Sequence, residues 1–418
     1  MSRYSVFVLL VLITGRPVAA QEAPADIGSR LLADAAVAAA VEAARLGEPQ
    51  VLEDQVRLCE IPAPTFAEQR RGAVLKTEFE ALGLRNVRVD DIGNVLGERP
   101  GRSATPHLLF ASHLDTVFPE ETDLTVTREG ALFKGPGIGD NCRGLAAMLG
   151  VIRALDAGRV ETPGTITFVA NVREEGLGNL GGIRHLLQGE LKGRVDRFVS
   201  VDGSGIGFTY LAVGTQRYRV TFSGPGGHSY YRFGIANPMH AMGRAMARIA
   251  DIQVPTSPRT TFSVGLSGGG TSVNSIAFEA WMEIDMRSHD AAALAALVDA
   301  VKAAVSDAVS AENARWEGRG AVTVAYKELG AAEPGMMADD SPIVQATKSV
   351  TAALGLPIFT FPSTTDSNVP MALGIPALTL DGGGDGGGGH SLNEVFDSTD
   401  SWKGTQRALL LAVALTHP

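Results

Sequence analysis

Short apolar segments that each end in a polar or glycine-rich stretch are the feature that most restricts how this chain can fold. Four such segments occur, at residues 107–111, 165–172, 197–201 and 377–380. Between the first three lie segments with the apolar spacing of helices, at residues 145–157 and 183–191. Strands that alternate with helices predict an α/β fold with a mostly parallel sheet flanked by helices.

A second pattern interrupts this one at residues 217–327. Strand-like and helix-like segments follow there in the order strand, helix, strand, strand, helix, strand. This is the order of a ferredoxin-like α+β domain. We therefore predict a discontinuous first domain, residues 21–216 and 328–418, which is interrupted by an inserted domain of residues 217–327.

Residues 1–20 have the features of a secretory signal peptide. Arg3 precedes a short apolar stretch, and the small residues Val18, Ala19 and Ala20 suit a cleavage site. The stretch is too short for a membrane-spanning helix, and an uncut N-terminal anchor is the alternative. Since no later stretch is long and apolar enough to span a membrane, we expect cleavage near Ala20 and a periplasmic or secreted protein.

Charge and cysteine content exclude further classes. Removing residues 1–20 takes away Arg3 and Arg16 and no acid, so the formal charge falls from −10 to −12. An acidic protein is a poor partner for nucleic acid or for an anionic membrane surface. The only cysteines, Cys59 and Cys142, are too few for a disulfide framework. We expect two free thiols, although an oxidising compartment would allow one disulfide.

Carboxylates and histidines directly follow the predicted strands, where the functional groups of open α/β sheets gather. They are His113 and Asp115, Glu174 and Glu175, Asp202, His390, and Asp140 in a glycine-rich loop before a helix. Such a mixed set of nitrogen and oxygen ligands suits zinc and tolerates cobalt or manganese. Because it holds more acids than one zinc ion needs, two metals with a bridging carboxylate are the economical interpretation.

Spacing within this set suggests separate roles. His113 and Asp115 are two residues apart, so both can face one side of a strand. Asp115 can then accept a hydrogen bond from the second ring nitrogen of His113. Glu174 and Glu175 are adjacent and leave the strand end in different directions, so one can bind metal while its neighbour addresses a water molecule.

The motifs around these residues extend along nearly the whole chain. They are Ser-His-Leu-Asp-Thr-Val at 112–117, Gly-Asp-Asn-Cys-Arg-Gly at 139–144, Glu-Glu-Gly at 174–176, Gly-Pro-Gly-Gly-His-Ser at 224–229, Gly-Gly-Thr-Ser-Val-Asn-Ser-Ile at 269–276 and Gly-Gly-His-Ser-Leu-Asn-Glu at 388–394. In sequence and order they resemble the M20 family of dinuclear zinc metallopeptidases. The resemblance implies two Zn²⁺ per subunit, with Co²⁺ or Mn²⁺ as alternatives.

The same resemblance implies a metal-ligand set. One metal would be bound by His113 and Asp202, and the other by Glu175 and His390. Asp140 would bridge the two. In addition, Asp115 would support His113, and Glu174 would be the general base that activates a metal-bridging water.

The inserted domain resembles the family's dimerisation or lid domain, so we expect a homodimer formed through it. His228 would reach into the partner subunit's site and stabilise the oxyanion. Asn274 and Arg287 would hold the carboxylate of the substrate, for which a guanidinium is the natural bidentate partner. Thr365 and Asp366 would belong to a loop on the substrate side.

Asp202 bears on the reaction. Family members that act on free amino termini tend to have Asp at this position, whereas carboxypeptidases and deacylases tend to have Glu. This favours an exopeptidase on small peptides, such as an aminopeptidase, dipeptidase or tripeptidase. A carboxypeptidase or a deacylase of N-acyl amino acids is the alternative. A non-catalytic periplasmic protein that binds metal or ligand is less favoured, because a binding site needs no base such as Glu174.

Overall fold

The computed structural model describes residues 27–418, so the predicted signal peptide and its cleavage site lie outside the described residues. The helices of this part are α1 (Ile27–Ala33), α2 (Ala35–Leu46), α3 (Glu48–Cys59), α4 (Gln69–Ala81), α5 (Cys142–Ala157), α6 (Gly181–Gln188), α7 (Pro238–Ala250), α8 (Ala291–Arg315), α9 (Pro342–Ala353), α10 (Asn368–Ala372) and α11 (Trp402–Leu415). None of these helices combines the length and the apolar character that a membrane crossing requires.

The strands of residues 27–418 form one large sheet and several smaller ones. They are β1 (Arg85–Val89), β2 (Val95–Arg99), β3 (His107–His113), β4 (Thr127–Glu129), β5 (Leu132–Lys134), β6 (Thr165–Asn171), β7 (Arg197–Val201), β8 (Phe208–Thr209), β9 (Leu211–Ala212), β10 (Gly214–Ser223), β11 (Gly227–His228), β12 (Thr260–Gly269), β13 (Ser275–Ile276), β14 (Glu279–Ser288), β15 (Thr323–Ala332), β16 (Gly335–Met336), β17 (Ala377–Leu380), β18 (Asp385–Gly387) and β19 (Val395–Asp397).

The large sheet has seven strands in the order β1-β2-β6-β3-β7-β17-β8. Its four central strands, β6, β3, β7 and β17, are parallel to one another, whereas β2 and β8 pair antiparallel at the sides. The central strands are buried along almost their whole length, as is typical of parallel strands covered on both faces. They correspond to the four apolar segments, so the prediction of a mostly parallel α/β sheet is confirmed.

Helix α5 lies against this sheet and is buried over nearly all its residues. It contacts α2, α3 and α11. Gly150 makes the close approach to α3 possible, because a Cβ at this position would lie 2.8 Å from Cγ2 of Val51. The helix therefore forms the centre of the main apolar core.

A second body of structure is formed by β10 to β15, residues 214–332. Its sheet has the antiparallel order β12-β14-β10-β15, and α7 and α8 pack on it. A separate apolar core lies between them, with Phe222, Met282 and Val305 fully buried. The order strand, helix, strand, strand, helix, strand is the ferredoxin-like one, and its outer strands extend beyond the expected limits of residues 217 and 327.

The chain enters and leaves this inserted body at one place. Strand β9, just before it, pairs with β16, just after it, through the register Ala212↔Gly335 and Leu211↔Met336. The two connections are thus hydrogen-bonded to each other, and β9 follows directly after β8, the edge strand of the large sheet.

Candidate metal centre

The loops that carry the candidate ligands meet at the carboxyl ends of the central strands. His113 is the last residue of β3 and is paired with Asn171, the last residue of β6. Glu174 and Glu175 follow β6 within four residues, and Asp202 directly follows β7. The parallel register therefore brings these side chains to one edge of the sheet.

A small antiparallel sheet, β18-β19-β5-β4, delivers the remaining two candidates. Strand β5 leads into the loop that ends at Asp140, and β18 leads into His390. Because β19 pairs with both β5 and β18, residues 250 positions apart in sequence lie side by side. His390 Nε2 is 3.1 Å from Asp140 Oδ2.

The distances divide the candidate ligands into two groups that share Asp140. His113 Nε2 lies 3.2 Å from Asp140 Oδ1 and 3.4 Å from Asp202 Oδ1. His390 Nε2 lies 3.1 Å from the other oxygen of Asp140 and 3.1 Å from Glu175 Oε1. The structure thus brings together all five residues expected as ligands, with Asp140 between the other two pairs.

These side chains fit metal ions. His113, Asp140 and Glu175 each offer a ligand atom within 4.8 Å of the others. The buried Oδ1 of Asp140 lies 3.2 Å from His113 Nε2 but without the alignment of a hydrogen bond. A buried carboxylate oxygen that lacks an aligned donor is costly unless a cation takes the place of the donor. Two imidazoles among several carboxylates form a donor set of the kind that zinc binds.

The electrostatics of the centre point the same way. Burial raises the pKa of Glu174 well above its usual value, and the charges of Glu175 and Asp202 raise it further. Hydrogen bonds to Asp140 and Glu175 raise the pKa of His390 to about 10. Burial by itself would lower the pKa of His113, but the neighbouring acids raise it well above the usual value. The centre thus has an excess of negative charge that divalent cations would neutralise.

Asp115 supports the centre in a different way from the one we expected. His113 Nδ1 makes its hydrogen bond to the backbone carbonyl of Asp115, at 3.0 Å, and is 3.5 Å from the carboxylate. The carboxylate instead accepts the backbone N–H groups of Glu174 and Glu175, at 2.9 and 3.0 Å, and the hydroxyl of Thr65 at 2.9 Å. Asp115 therefore fixes both the ring of His113 and the backbone of the loop that carries the two glutamates.

Glu394 holds the Asp140 loop, and the sequence analysis did not select it. Its carboxylate accepts the backbone N–H groups of Gly137, Gly139 and Asp140 at 2.8, 2.8 and 2.9 Å. Residue 394 ends the last of the six motifs, and that position is the signal by which it could have been found. Its role depends on the pairing of β19 with β5, which the sequence does not reveal.

The glycine run before His390 follows the surface of α11 closely. Gly383 has a φ of 99°, and a Cβ there would lie 2.1 Å from the carbonyl oxygen of Ser401. Gly384 has a φ of 73°, and its Cβ would lie 2.4 Å from the ring of Phe396. Both positions thus combine a left-handed backbone with a close approach that only glycine permits.

A cavity of about 110 Å³ opens beside the centre, between the large sheet and the inserted body. Its lining includes Glu174, Glu175 and His390 together with Arg287 and Arg217. The structure thus places Arg287 in the same cavity as the expected base, and it adds Arg217, which was not among the expected residues.

The two arginines are held in place by one carboxylate. Asp285 accepts the Nε–H of Arg217 on one oxygen at 2.8 Å and that of Arg287 on the other at 2.7 Å. Arg217 also donates to the carbonyl oxygen of Gly176, at 3.1 Å, in the loop after the glutamates. Arg287 and Asp285 are two residues apart on β14, and Arg217 of β10 is paired with Asp285. The contact of both arginines with one carboxylate therefore depends on how β10 and β14 pair.

His228 and Asn274 do not line this cavity. They lie at a small exposed pair of strands, β11 and β13, in which His228 is paired with Ser275. The ring of His228 contacts Tyr231, with 4.8 Å between centroids, and the backbone carbonyl of Asn274, just before β13, accepts the N–H of Ser229 at 2.9 Å. Both residues are exposed and lie outside the lining of their own chain's cavity.

Thr365 and Asp366 are buried beneath the centre rather than at the cavity. The hydroxyl of Thr365 bonds to that of Thr379 at 2.8 Å, and Asp366 accepts the amide of Asn171 at 2.7 Å. Burial raises the pKa of Asp366 to about 7. The residue of this loop that lines the cavity is Thr364. We therefore assign Thr365 and Asp366 to the support of the strand ends and not to contact with substrate.

Comparison with known proteins gives a consistent result. The family model described as peptidase family M20/M25/M40 matches residues 109–414. The uncharacterized protein YqjE of Bacillus subtilis is 28% identical over 354 residues, covering 80% of this chain and 90% of the relative. A succinyl-diaminopimelate desuccinylase of Corynebacterium glutamicum is 26% identical over 58% of this chain and 66% of its own. A tripeptidase of Staphylococcus aureus superposes with a TM-score of 0.70 at 22% identity, over 88% of this chain and 97% of its own.

Proposed function

Since the chain belongs to peptidase family M20/M25/M40 and is therefore a metal-dependent hydrolase, we propose that it is an exopeptidase. Its substrate is a short peptide with a free carboxylate, and the reaction is hydrolysis of an amide bond. The observation that carries this proposal is the cavity of about 110 Å³, whose lining combines Glu174 and Glu175 with the two arginines Arg217 and Arg287. Such a space suits a small substrate held at its charged end.

The metal pair of this proposal is zinc, with cobalt or manganese as alternatives. His113 and Asp202 would hold one ion, and Glu175 and His390 would hold the other. Asp140 would contribute to both sites, in line with the distances above. When bound, such ions polarise a scissile carbonyl and lower the pKa of water. The hydrogen bonds of Asp115 and Glu394 keep the ligand loops in place before any ion arrives, which limits the cost of reorganisation.

Glu174 is the general base of the proposed reaction. It lines the cavity beside Glu175, and burial raises the pKa of its carboxyl group. A carboxylate whose pKa lies closer to the working pH accepts a proton from the attacking water and returns it to the leaving amine more effectively. Asp115 orients it by accepting its backbone N–H.

Arg287 and Arg217 bind the free carboxylate of the substrate. Each uses its Nε–H on Asp285, which leaves terminal N–H groups for the cavity and fixes the direction of both guanidinium planes. A planar guanidinium matches a carboxylate in a bidentate arrangement. Asp202, which in this family accompanies action on free amino termini, favours the dipeptidase or tripeptidase reaction.

Deacylation of an N-acyl amino acid is the second candidate. Its support is the similarity to a desuccinylase together with the arginine pair, which would hold the carboxylate of such a substrate equally well. The two candidates differ in the group on the other side of the scissile bond, which is a free amine in one and an acyl chain in the other.

We also propose that the protein is exported after cleavage near Ala20 and acts as a homodimer through the inserted body. In that dimer His228 stabilises the oxyanion in the partner subunit's site. His228 on the exposed β11–β13 strand pair does not line the cavity of its own chain, which supports this arrangement.

The decisive experiment is an assay of the purified, zinc-loaded protein against four substrate sets. These are dipeptides, tripeptides, N-acetyl amino acids, and the same peptides with an amidated C-terminus. We expect hydrolysis of the free peptides and little of the amidated ones. Hydrolysis of N-acetyl amino acids alone would establish the deacylase instead, and inactivity on every amide with metal bound would contradict both.

A further inference from the structure

The fold brings the only two cysteines of the chain into one small buried cluster. Cys59 is the last residue of α3 and Cys142 the first of α5, 83 positions later. Both are fully buried as free thiols and belong to the same cluster of five buried side chains. Because a fully buried residue touches only about 6 to 12 others, the meeting of the only two cysteines among 418 residues in one such cluster is not expected from chance placement.

The pair lies behind the loop that ends at Asp140. Cys59 Sγ donates to the carbonyl oxygen of Pro136 at 3.3 Å, and Gln55 of the same helix donates to that of Ile138 at 2.7 Å. Ile138, Phe133 and Phe396 enclose the thiols in a small apolar cluster separate from the main core. Helix α3 therefore holds the loop through this contact, and a covalent bond between the thiols would fasten it further.

We propose that Cys59 and Cys142 form an intrachain disulfide when the protein folds in an oxidising environment. Both S–H bonds break and one S–S bond forms, with loss of two protons and two electrons. The acceptor is a second disulfide, of a small molecule or of an oxidoreductase, which is reduced to two thiols and takes up both protons. One cysteine thiolate attacks the acceptor to give a mixed disulfide, and the other cysteine displaces the acceptor's second sulfur.

Burial determines when the exchange takes place. Neither sulfur is accessible in the folded chain, and α3 is packed tightly on α5 through Gly150. The acceptor must therefore meet the cysteines before the two helices come together. The disulfide forms during folding, whereas the thiols of a chain that has already folded in reduced form exchange slowly.

The test is refolding of the full chain from denaturant in a mixture of reduced and oxidised glutathione, with refolding in dithiothreitol as the reference. After alkylation in denaturant we expect no free thiol in the oxidised sample and two in the reference. Mass spectrometry should show one peptide pair joined through Cys59 and Cys142 and lighter by two hydrogen atoms. Two free thiols after oxidative refolding, or cross-links only between chains, would overturn the proposal.

Stability supplies a second measurement that does not depend on a variant folding well. Closure of a long loop by a disulfide should raise the thermal midpoint of the oxidised wild type by about 5 °C over the reduced wild type. The Cys59→Ala/Cys142→Ala double variant should melt at one temperature with and without dithiothreitol. The proposed covalent link between α3 and α5 would be contradicted if dithiothreitol lowered the thermal midpoint of the double variant as much as that of the oxidised wild type. It would also be contradicted if dithiothreitol left the midpoint of the oxidised wild type unchanged. Hydrogen exchange should also be slower in residues 135–140 of the oxidised chain.

Discussion

The metal centre and the β11–β13 strand pair both carry candidate catalytic residues, but the chain organises them in opposite ways. At the centre His113 and Asp115 are fully buried, and carboxylates fix the backbone of the Asp140 loop and of the loop with Glu174 and Glu175. On the strand pair His228 is exposed, and the neighbouring rings of Tyr230 and Tyr231 are 79% and 80% exposed. One region is assembled from its own chain alone, and the other has exposed side chains.

This difference separates metal binding from turnover. The candidate ligands all lie outside the inserted body, so the chain should bind its metals whatever is changed at the β11–β13 strand pair. Under the proposed mechanism, turnover requires groups from both regions, and His228 comes from the partner subunit. Substitutions in the two regions should therefore have distinct signatures.

The largest effect should follow from Glu174→Gln at the centre. The amide cannot accept the proton of the attacking water, so kcat should fall by about 10³-fold. Metal content, measured by elemental analysis, should stay that of the wild type because the ligands are untouched. Glu53→Gln, on the exposed face of α3, is the matched control. Unchanged hydrolysis in Glu174→Gln would remove the base from the mechanism.

At the β11–β13 strand pair, His228→Ala should lower kcat by about 10²-fold, as for loss of one oxyanion donor, and leave metal content unaltered. The matched control is His240→Ala, which removes an exposed histidine of α7 in the same inserted body. Mixing Glu174→Gln and His228→Ala subunits should restore activity, because a hybrid dimer then has one complete site. A mixture that stays inactive while its subunits exchange would mean that His228 does not act across subunits.

Arg287→Gln tests the part of the cavity lining that the inserted body supplies. Loss of a charged donor should raise KM for substrates with a free carboxylate by about 10- to 100-fold and change kcat little. Amidated substrates should be affected far less, and the exposed Arg259→Gln should behave as the wild type. Arg217→Gln should act in the same direction but more weakly, because part of its bonding goes to Gly176. An equal loss on amidated substrates would contradict recognition of the carboxylate.

The smallest effect concerns the stability of the fold and comes from Asp381, a buried residue directly after β17 of the large sheet. Burial raises the pKa of Asp381 to about 7, so between about pH 4 and pH 7 the folded state binds a proton that the unfolded state has lost. The free energy of unfolding of the metal-free protein should therefore fall as the pH rises through this range, by on the order of 3 kcal/mol from this group. Urea unfolding at pH 5 and pH 8 measures it.

Asp381→Asn should remove this part of the pH dependence, since the amide oxygen can still accept the N–H of Gly207. Asp307→Asn, exposed on α8 of the inserted body, should leave it unchanged. The same pH dependence in wild type and Asp381→Asn would show that other groups cause it.

What could be predicted from the sequence follows from local pattern. The apolar segments and the polar residues directly after them predicted the central strands, the ferredoxin-like order and the meeting of His113, Asp202 and Glu175 at one edge. Each of these three residues lies at the end of its own strand, and parallel pairing of the central strands brings those ends to the same edge of the sheet.

The sequence did not predict contacts that depend on how distant strands pair. Glu394 reaches the Asp140 loop through the pairing of β19 with β5, and Arg217 reaches Asp285 through the register of β10 with β14. Thr365 lies only one residue from Thr364, which lines the cavity, yet it points into the support beneath the centre. A one-residue difference in direction cannot be read from a motif alone.

The insertion also has a consequence for the order in which the molecule is made. Strand β17 lies between β7 and β8 in the large sheet, yet residues 214–332 separate it from both in sequence. Wherever the chain folds as it emerges, the inserted body can fold as soon as its last strand is available. The large sheet cannot be completed before β17 has emerged, nor the candidate metal centre before His390 has. Until then β7 has an open edge, and the candidate metal ligands cannot all come together before almost the whole chain is available.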